Sequence, residues 1–491
     1  MRSRSILVVA LLAGAALTAA AALAAVGAGS TIWTIAGAGS ACSTPPSCGD
    51  GSAATRARLS FPEAVAVSTN GNVYVSDWGA NEIRKLAPDG TITAVAGDGT
   101  PCSTPPSCGD RASATSAELN FPEGVAVDLS GNVYIADSGD NEIRKVSPSG
   151  KITRFAGTGA DCSRPPACGD GGAATAAQLS APAGLAIDRA GNVYIADTGD
   201  SEVRKVSPAG KISRIAGTGV ACAAAPTCGD GAGATSAQLN FPGGVAVDGA
   251  GSVYVADAGD NELRKVSVAG TITRIAGSGK LCGAPSACGD GGAATSADLS
   301  GPDGVAVTST GTLFIADAGD NEIRQVSVTG KIVTVAGNGS ACPQPRSCGD
   351  GGAAGGAQLD YPDGVAVDQA GNVYIADTYD QELRWLSSTG SSFLQSASGK
   401  IALTAFGADL TAAAVSVRYA LSGAASVTLS VSSGAGAPTV VARGSGRVGF
   451  GLLSWNRRLR GAPAARGRYT LTLTATTAGR SASSKLSVRL T

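Results

Sequence analysis

Phe121-Pro122-Glu123-Gly124-Val125-Ala126-Val127-Asp128, Asn132-Val133-Tyr134-Ile135-Ala136-Asp137, Glu142-Ile143-Arg144-Lys145-Val146 and Lys151-Ile152-Thr153-Arg154-Phe155-Ala156 follow one another along the chain. Leu129-Ser130-Gly131, Ser138-Gly139-Asp140 and Pro148-Ser149-Gly150 lie near the breaks between them. Period-two alternation of β-branched and small residues, broken by Gly, Asn, Asp and Pro, reads as four antiparallel strands joined by tight turns. The stretch recurs six times with a spacing of 60, marked by Cys-Gly-Asp at Cys48, Cys108, Cys168, Cys228, Cys288 and Cys348. A second cysteine precedes each by six residues, at Cys42, Cys102, Cys162, Cys222, Cys282 and Cys342, which accounts for all 12. A unit of this size cannot bury its apolar face alone and must stack on its neighbours. Repeated radially, a four-stranded meander is a β-propeller blade, and six blades make a closed ring.

The chain ends predict how the ring closes. Unit six carries the first three strands (364–368, 372–377 and 382–387), but no fourth strand of the repeat type follows Gly390. The missing strand stands at the other end, as Thr31-Ile32-Trp33-Thr34-Ile35-Ala36-Gly37. Trp33 occupies the position of Thr153 and Trp385 that of Lys145, so the two face each other across a hairpin of blade six if the N-terminal strand completes it. Residues 31–390 are therefore expected to form the propeller. After them, residues 391–491 hold no cysteine and alternate over 413–419, 426–431, 439–442 and 469–475, which reads as about seven strands of a small β-sandwich.

The Phe121–Asp128, Gly131–Asp137 and Glu142-Ile143-Arg144 pattern resembles NHL repeats. The Ile-x-x-x-Ala-Gly-x-Gly and Gly-Asp-Gly-Gly-Ala-Ala-Thr segments resemble the variety found in bacterial secreted proteins and in teneurins. The resemblance implies a six-bladed propeller; its members include binding scaffolds, sensors and a few lyases. Trp455-Asn456 with Gly467-Arg468-Tyr469-Thr470-Leu471 resembles the end of the Ig-like domain of flagellar hook-capping proteins, which implies an add-on structural module.

Arg2 and Arg4 precede an apolar run that ends in small residues, so residues 1–28 read as a secretory signal peptide cleaved near 24–28, with an uncleaved anchor as the alternative. Export to a bacterial cell surface or medium places the cysteines in an oxidising compartment, where an even set at fixed spacing reads as disulfides. Local bridges, Cys42–Cys48 and its five equivalents, are expected, each adding roughly 2–2.5 kcal/mol by loop entropy; cross-links between units are not excluded by spacing. The net charge of −1 hides a segregation. Residues 31–390 carry 23 basic against 37 acidic side chains, and residues 391–491 carry 12 against one. An acidic body argues against nucleic acid as a partner, and a basic tail points to an anionic cell-envelope polymer or to docking on its own propeller.

The chain has no histidine. That removes Ser-His-Asp catalysis and His-ligated zinc, and with them the His-dependent lyases of the resembled family. Residues kept in every unit, such as Asp137 with Arg144, read as structural pairs, and the Gly-Asp-Gly-Gly segments read as turns. Positions where units disagree are more informative. The residue after the proline that opens each innermost strand reads Glu63, Glu123, Ala183, Gly243, Asp303 and Asp363 around the ring. Glu63, Glu123, Asp303 and Asp363 form an arc over neighbouring blades at the channel mouth: solvated turn acids, or a site for calcium or a cationic ligand. Trp78 and Tyr379 replace small residues in the turn after the second strand and join Glu63 and Asp363 as candidate ligand contacts. Phe61 and Tyr361 share their slots with Phe121 and Phe241 and read as packing. These features predict a secreted, non-catalytic binding or scaffold protein for an extracellular protein or polysaccharide. The alternative is a calcium-dependent lactonase or esterase acting at the four-acid arc.

Overall fold

The computed structural model describes residues 30–386, apart from a few at the tips of the loops between paired cysteines, and most of 403–490. The export segment read from residues 1–28, and residues 387–402, lie outside the described residues. Among the described residues there is no α-helix; short 3₁₀ turns join the strands.

Six four-stranded antiparallel sheets form the ring. Blade one comprises Pro62–Val67, Val73–Asp77, Glu82–Leu86 and Ile92–Ala96, from the axis outward, and blades two to five repeat it. Blade six is made of Pro362–Val367, Val373–Asp377 and Glu382–Leu386 and is completed by Ile32–Ala36. The closing register is the expected one: Ile32 faces Leu386, Trp33 faces Trp385 and Thr34 faces Arg384. One apolar cluster joins Tyr374, Leu383 and Trp385 of blade six to Val73, Val75 and Leu86 of blade one, so the core is continuous across the seam. At the axis the innermost strands touch. A Cβ on Gly364 would fall 2.2 Å from the Glu63 carbonyl oxygen, which is why that position is glycine.

The six local disulfides are present, Cys42–Cys48 to Cys342–Cys348, with Cα–Cα separations of 5.6–5.8 Å. Each fastens a loop that supplies a carboxylate to a buried arginine. Arg204, in the third strand of blade three, donates to Asp197 of the second strand at 3.1 Å, to Asp170 of the loop at 2.8 Å and to the Cys168 carbonyl at 3.5 Å. Asp197 in turn accepts the Ser180 N–H at 2.8 Å. Arg84, Arg144, Arg264, Arg324 and Arg384 repeat this, and each is at most 1% exposed. The pairing of Asp with Arg was legible in the repeat. The Asp of Cys-Gly-Asp, read as a turn residue, proves to be the second acceptor of the guanidinium fork.

Besides a two-stranded ribbon of Arg458–Leu459 with Ala462–Pro463, residues 403–490 contribute two larger sheets. One orders Leu403–Leu410, Val415–Leu421 and Gly449–Trp455; the other orders Thr439–Gly446, Ala425–Ser432, Gly467–Thr477 and Arg480–Leu490. Trp455 and Tyr469 pack edge to face in their core at 5.5 Å, with Val427, Leu429, Leu471 and Leu473 around them.

Two stability predictions follow from this construction. Arg204→Met strands two carboxylates, one of them fully buried, and should cost about 3–5 kcal/mol, read from chemical denaturation; a loss within error of a surface control would refute a structural role for the Asp–Arg–Asp network. Trp33→Ala should lower the melting temperature more than Thr153→Ala, because only the former opens the seam.

Candidate functional site

The residue after each blade-opening proline sits on an irregularity of the ladder. In blade one Pro62 faces Asp77 and Val65 faces Val75, so the inner strand holds one residue too many at Glu63-Ala64. The same shift occurs at the corresponding place in the other blades. A bulge of this kind re-aims a side chain out of the regular pleat. Here it turns Glu63, Glu123, Asp303 and Asp363 into the channel, where they line one cavity of about 290 Å³ together with Ala183 and Gly243. The Asp303 carboxylate leans into the gap left by glycine: a Cβ on Gly243 would collide with its Oδ1.

The residue before the proline is held in the left-handed region, with φ of 51° at Phe61, 50° at Phe121 and 53° at Tyr361. Non-glycine residues enter this region at a cost, and each is clasped from the preceding blade. The Phe121 N–H donates to Asn81 Oδ1 at 3.0 Å and the Tyr361 N–H to Asn321 Oδ1 at 2.8 Å. At the seam, Gln381 Oε1 takes over from asparagine and accepts the Phe61 N–H at 2.7 Å. This backbone turns the rings outward. Phe61 is 36% exposed and Tyr361 40%, and each packs against neighbouring rings, as their reading as packing residues expects.

The aromatic and acidic deviations belong to one place. A mouth cavity of about 460 Å³ is lined by Phe61, Trp78, Tyr361 and Tyr379 together with all four carboxylates. The rings form a continuous arc over blades two, one and six. Phe121 stacks on Trp78 at 4.6 Å, Phe61 stands edge-on to Trp78 at 6.2 Å and to Tyr379 at 5.9 Å, and Tyr379 stacks on Tyr361 at 5.1 Å. Trp78 and Tyr379 thus pack on rim aromatics.

Four acids facing one cavity repel one another. Burial, then the charges of Glu123, Asp363 and Asp303, push Glu63 up to about 10. Burial and Asp303 push Glu123 up to about 8. Burial pushes Asp303 up to about 6, and burial with the Asp303 charge holds Asp363 well above the usual carboxylate range. A cation placed among them would relieve both the desolvation and the repulsion. Aromatic faces at the rim add quadrupole attraction for an organic cation and flat surface for a sugar ring.

Mouse Teneurin-4 is 29% identical over 354 residues, covering 67% of this chain, and mouse Teneurin-3 is 30% identical over 353 residues with the same coverage. The chain spans only 12% of the length of either protein. Among solved structures, an auxiliary nutrient binding protein from Bacteroides thetaiotaomicron superposes with a TM-score of 0.50 at 11% identity, covering 73% of this chain and 76% of that one. The Teneurin NHL domain model matches residues 27–107, 92–167, 151–227, 210–284, 274–345 and 331–391. Matched in succession over the whole ring, the chain belongs to the Teneurin NHL domain family.

Proposed function

We propose that this chain is an exported, non-catalytic binding protein whose recognition site is the propeller mouth, Glu63, Glu123, Asp303 and Asp363 forming its floor and Trp78 and Tyr379 its rim. One observation carries the reading: the four acids and the two turn aromatics that depart from the repeat line a single cavity. An acidic floor under an aromatic rim suits a partner that presents an ammonium group beside a flat apolar face, such as an amino-sugar polysaccharide or a lysine-bearing loop of an extracellular protein. The domain plan in this reading is a signal peptide, a propeller over 31–390 and an Ig-like module over 391–491. The basic C-terminal part is its contact with anionic envelope polymer.

Calcium is the second reading, because four carboxylates around one cavity offer hard oxygen ligands. They fit such an ion chemically, and a lactonase-type hydrolase would use it to polarise a carbonyl. Calorimetry separates the readings. Heat with calcium chloride that disappears in Asp303→Asn supports the metal; absence of heat and of any melting shift removes it.

Trp78 supplies the direct test of recognition, read in a Trp33→Phe background, since Trp385 and Trp455 are buried and the half-buried Trp33 lies at the seam. A glucosamine tetramer should quench its emission while the N-acetylated tetramer does not, and Tyr379→Ala should weaken the effect by roughly tenfold. Equal response to both sugars would contradict an ammonium-selective floor.

The acids also set a pH dependence. Their folded pKa values are raised, so between about pH 5 and 9 the folded state binds more protons than the unfolded chain, and stability falls as pH rises. Thermal melts should show this slope, and Glu63→Gln should flatten it.

A further inference from the structure

Five of the six blades bury an aspartate against their own disulfide. Asp140, Asp200, Asp260, Asp320 and Asp380 each bring a carboxylate oxygen to within 4.8 Å of both sulfurs of the bridge in their blade. These acids are at most 3% exposed. One oxygen of Asp200, Asp260 and Asp320, and both of Asp380, have no hydrogen-bond partner among the described residues. In blade one the corresponding residue is Ala80, fully buried at the end of the turn that begins with Trp78. The rest of the setting is kept: Arg84 Nη2 lies 3.5 Å from the Cys48 carbonyl, as Arg204 Nη2 does from that of Cys168. Every blade also buries a glutamate at the start of its third strand. Arg154, Arg214 and Arg274 meet Glu142, Glu202 and Glu262 at 3.3–3.5 Å, and Thr334 and Thr34 donate hydroxyls to Glu322 and Glu382. Ala94 stands at that place in blade one, and neither oxygen of Glu82 has a hydrogen-bond partner among the described residues. Glu82 and its equivalents lie outside the clusters that hold the sulfurs, so the close carboxylate that marks the other bridges is the one that Ala80 removes.

We infer that Cys42–Cys48 is a site of thiol–disulfide exchange, at which a dithiol reductant opens this bridge ahead of the other five. The reductant's thiolate attacks one sulfur, forms a mixed disulfide and releases the other cysteine as a thiolate. The reductant's second thiol then displaces the first bond and leaves as a disulfide, so two electrons and two protons pass to Cys42 and Cys48. Negative charge enters and leaves at sulfur in both steps. A carboxylate within 4.8 Å repels the incoming thiolate and the departing one, and a buried setting screens that repulsion little. Ala80 removes the repulsion while Arg84 stays, and an electropositive setting is the one that favours a cysteine thiolate. Access does not separate the bridges in the same way: Cys42, Cys48, Cys162 and Cys168 are all 5–7% exposed. The outcome is local. Reduction unfastens the loop that presents Asp50 to Arg84, so it acts on the ion network of blade one and leaves the bridges of the other blades closed. The exchange uses none of the channel acids and stands independently of the mouth reading.

The test is partial reduction of the native full chain with limiting dithiothreitol at about pH 8, where thiolate is present, followed by alkylation and peptide mass spectrometry, which follows each bridge separately. Cys42–Cys48 should open roughly tenfold or more faster than Cys162–Cys168. Ala80→Asp should slow it to the rate of its sisters. Because Ala80 is fully buried and that variant could fail to fold, Asp200→Asn supplies the converse: it removes the charge at nearly constant shape and should speed the opening of Cys162–Cys168 by a similar factor. Equal rates for the two bridges, no response of Cys162–Cys168 to Asp200→Asn, or an order led by the more exposed pair Cys282–Cys288 would overturn the inference.

Discussion

Six buried guanidinium groups hold this propeller to its form. Each arginine sits in a third strand with no more than 1% of its surface exposed, so its charge must be met inside the protein. The rigid fork meets it from two directions: the second-strand aspartate of its own blade and the aspartate of the disulfide loop. A lysine, with one compact charge on a flexible stem, cannot span both acceptors in this way. The cysteines find their purpose here. By closing a short loop they fix the position of Asp50, Asp110, Asp170, Asp230, Asp290 and Asp350, and so lower the entropy cost of bringing that second carboxylate to the arginine. The apolar contribution is thin by comparison, because aromatics make up 4% of the chain and the inter-blade clusters are built mainly of Ala, Val, Leu and Ile. Small side chains allow close approach of blades but specify little. The ion network supplies the register.

Ring closure carries the same constraint to the axis. Once blade six is completed by residues 32–36, every equivalent position lies at the same height and radius, so residues 60 apart in sequence become neighbours. This brings scattered departures from the repeat to the lining of one cavity. Glu63 and Asp363 are separated by most of the chain and meet because the ring closes between them. The bulge after each proline and the positive φ before it then divide the work: one points acids inward, the other points rings outward. The clasp from Asn81, Asn321 or Gln381 holds the strained residue in place, which is how a backbone conformation of this cost persists.

The architecture was legible in the sequence because a 60-residue period, turn chemistry and a displaced strand are local signals. The pairing of Trp33 with Trp385 followed from counting residues across a hairpin. The acid arc was legible for the same reason, since slot equivalence around a ring is arithmetic. What escaped the sequence depends on backbone detail. Phe61 shares its slot with Phe121 and reads as a packing residue, which it is against Trp78 and Tyr379; its left-handed conformation has no signature in residue type. Asp170 looked like a turn residue because its partner Arg204 lies 34 residues away. The missing partner of Glu82 was visible as Arg154, Arg214 and Arg274 against Ala94, but only a structure shows that this position faces the glutamate.

A repeat ring offers its own control experiment. Five blades show how the third-strand glutamate is satisfied, and in blade one both oxygens of Glu82 lack a hydrogen-bond partner among the described residues. An unsatisfied buried carboxylate costs on the order of 1–3 kcal/mol or more, a loss that a lone small domain would feel strongly. In a closed ring the other blades share the load, since stability is roughly a sum over units and their interfaces. Blade one can therefore hold a local deficit without losing its fold. The deficit falls in the blade that also carries Trp78 and Glu63, and blade one flanks the seam where Gln381 and Tyr379 replace the usual turn residues. Symmetry lets the ring carry such departures, because the load of one blade is spread over the interfaces of all six.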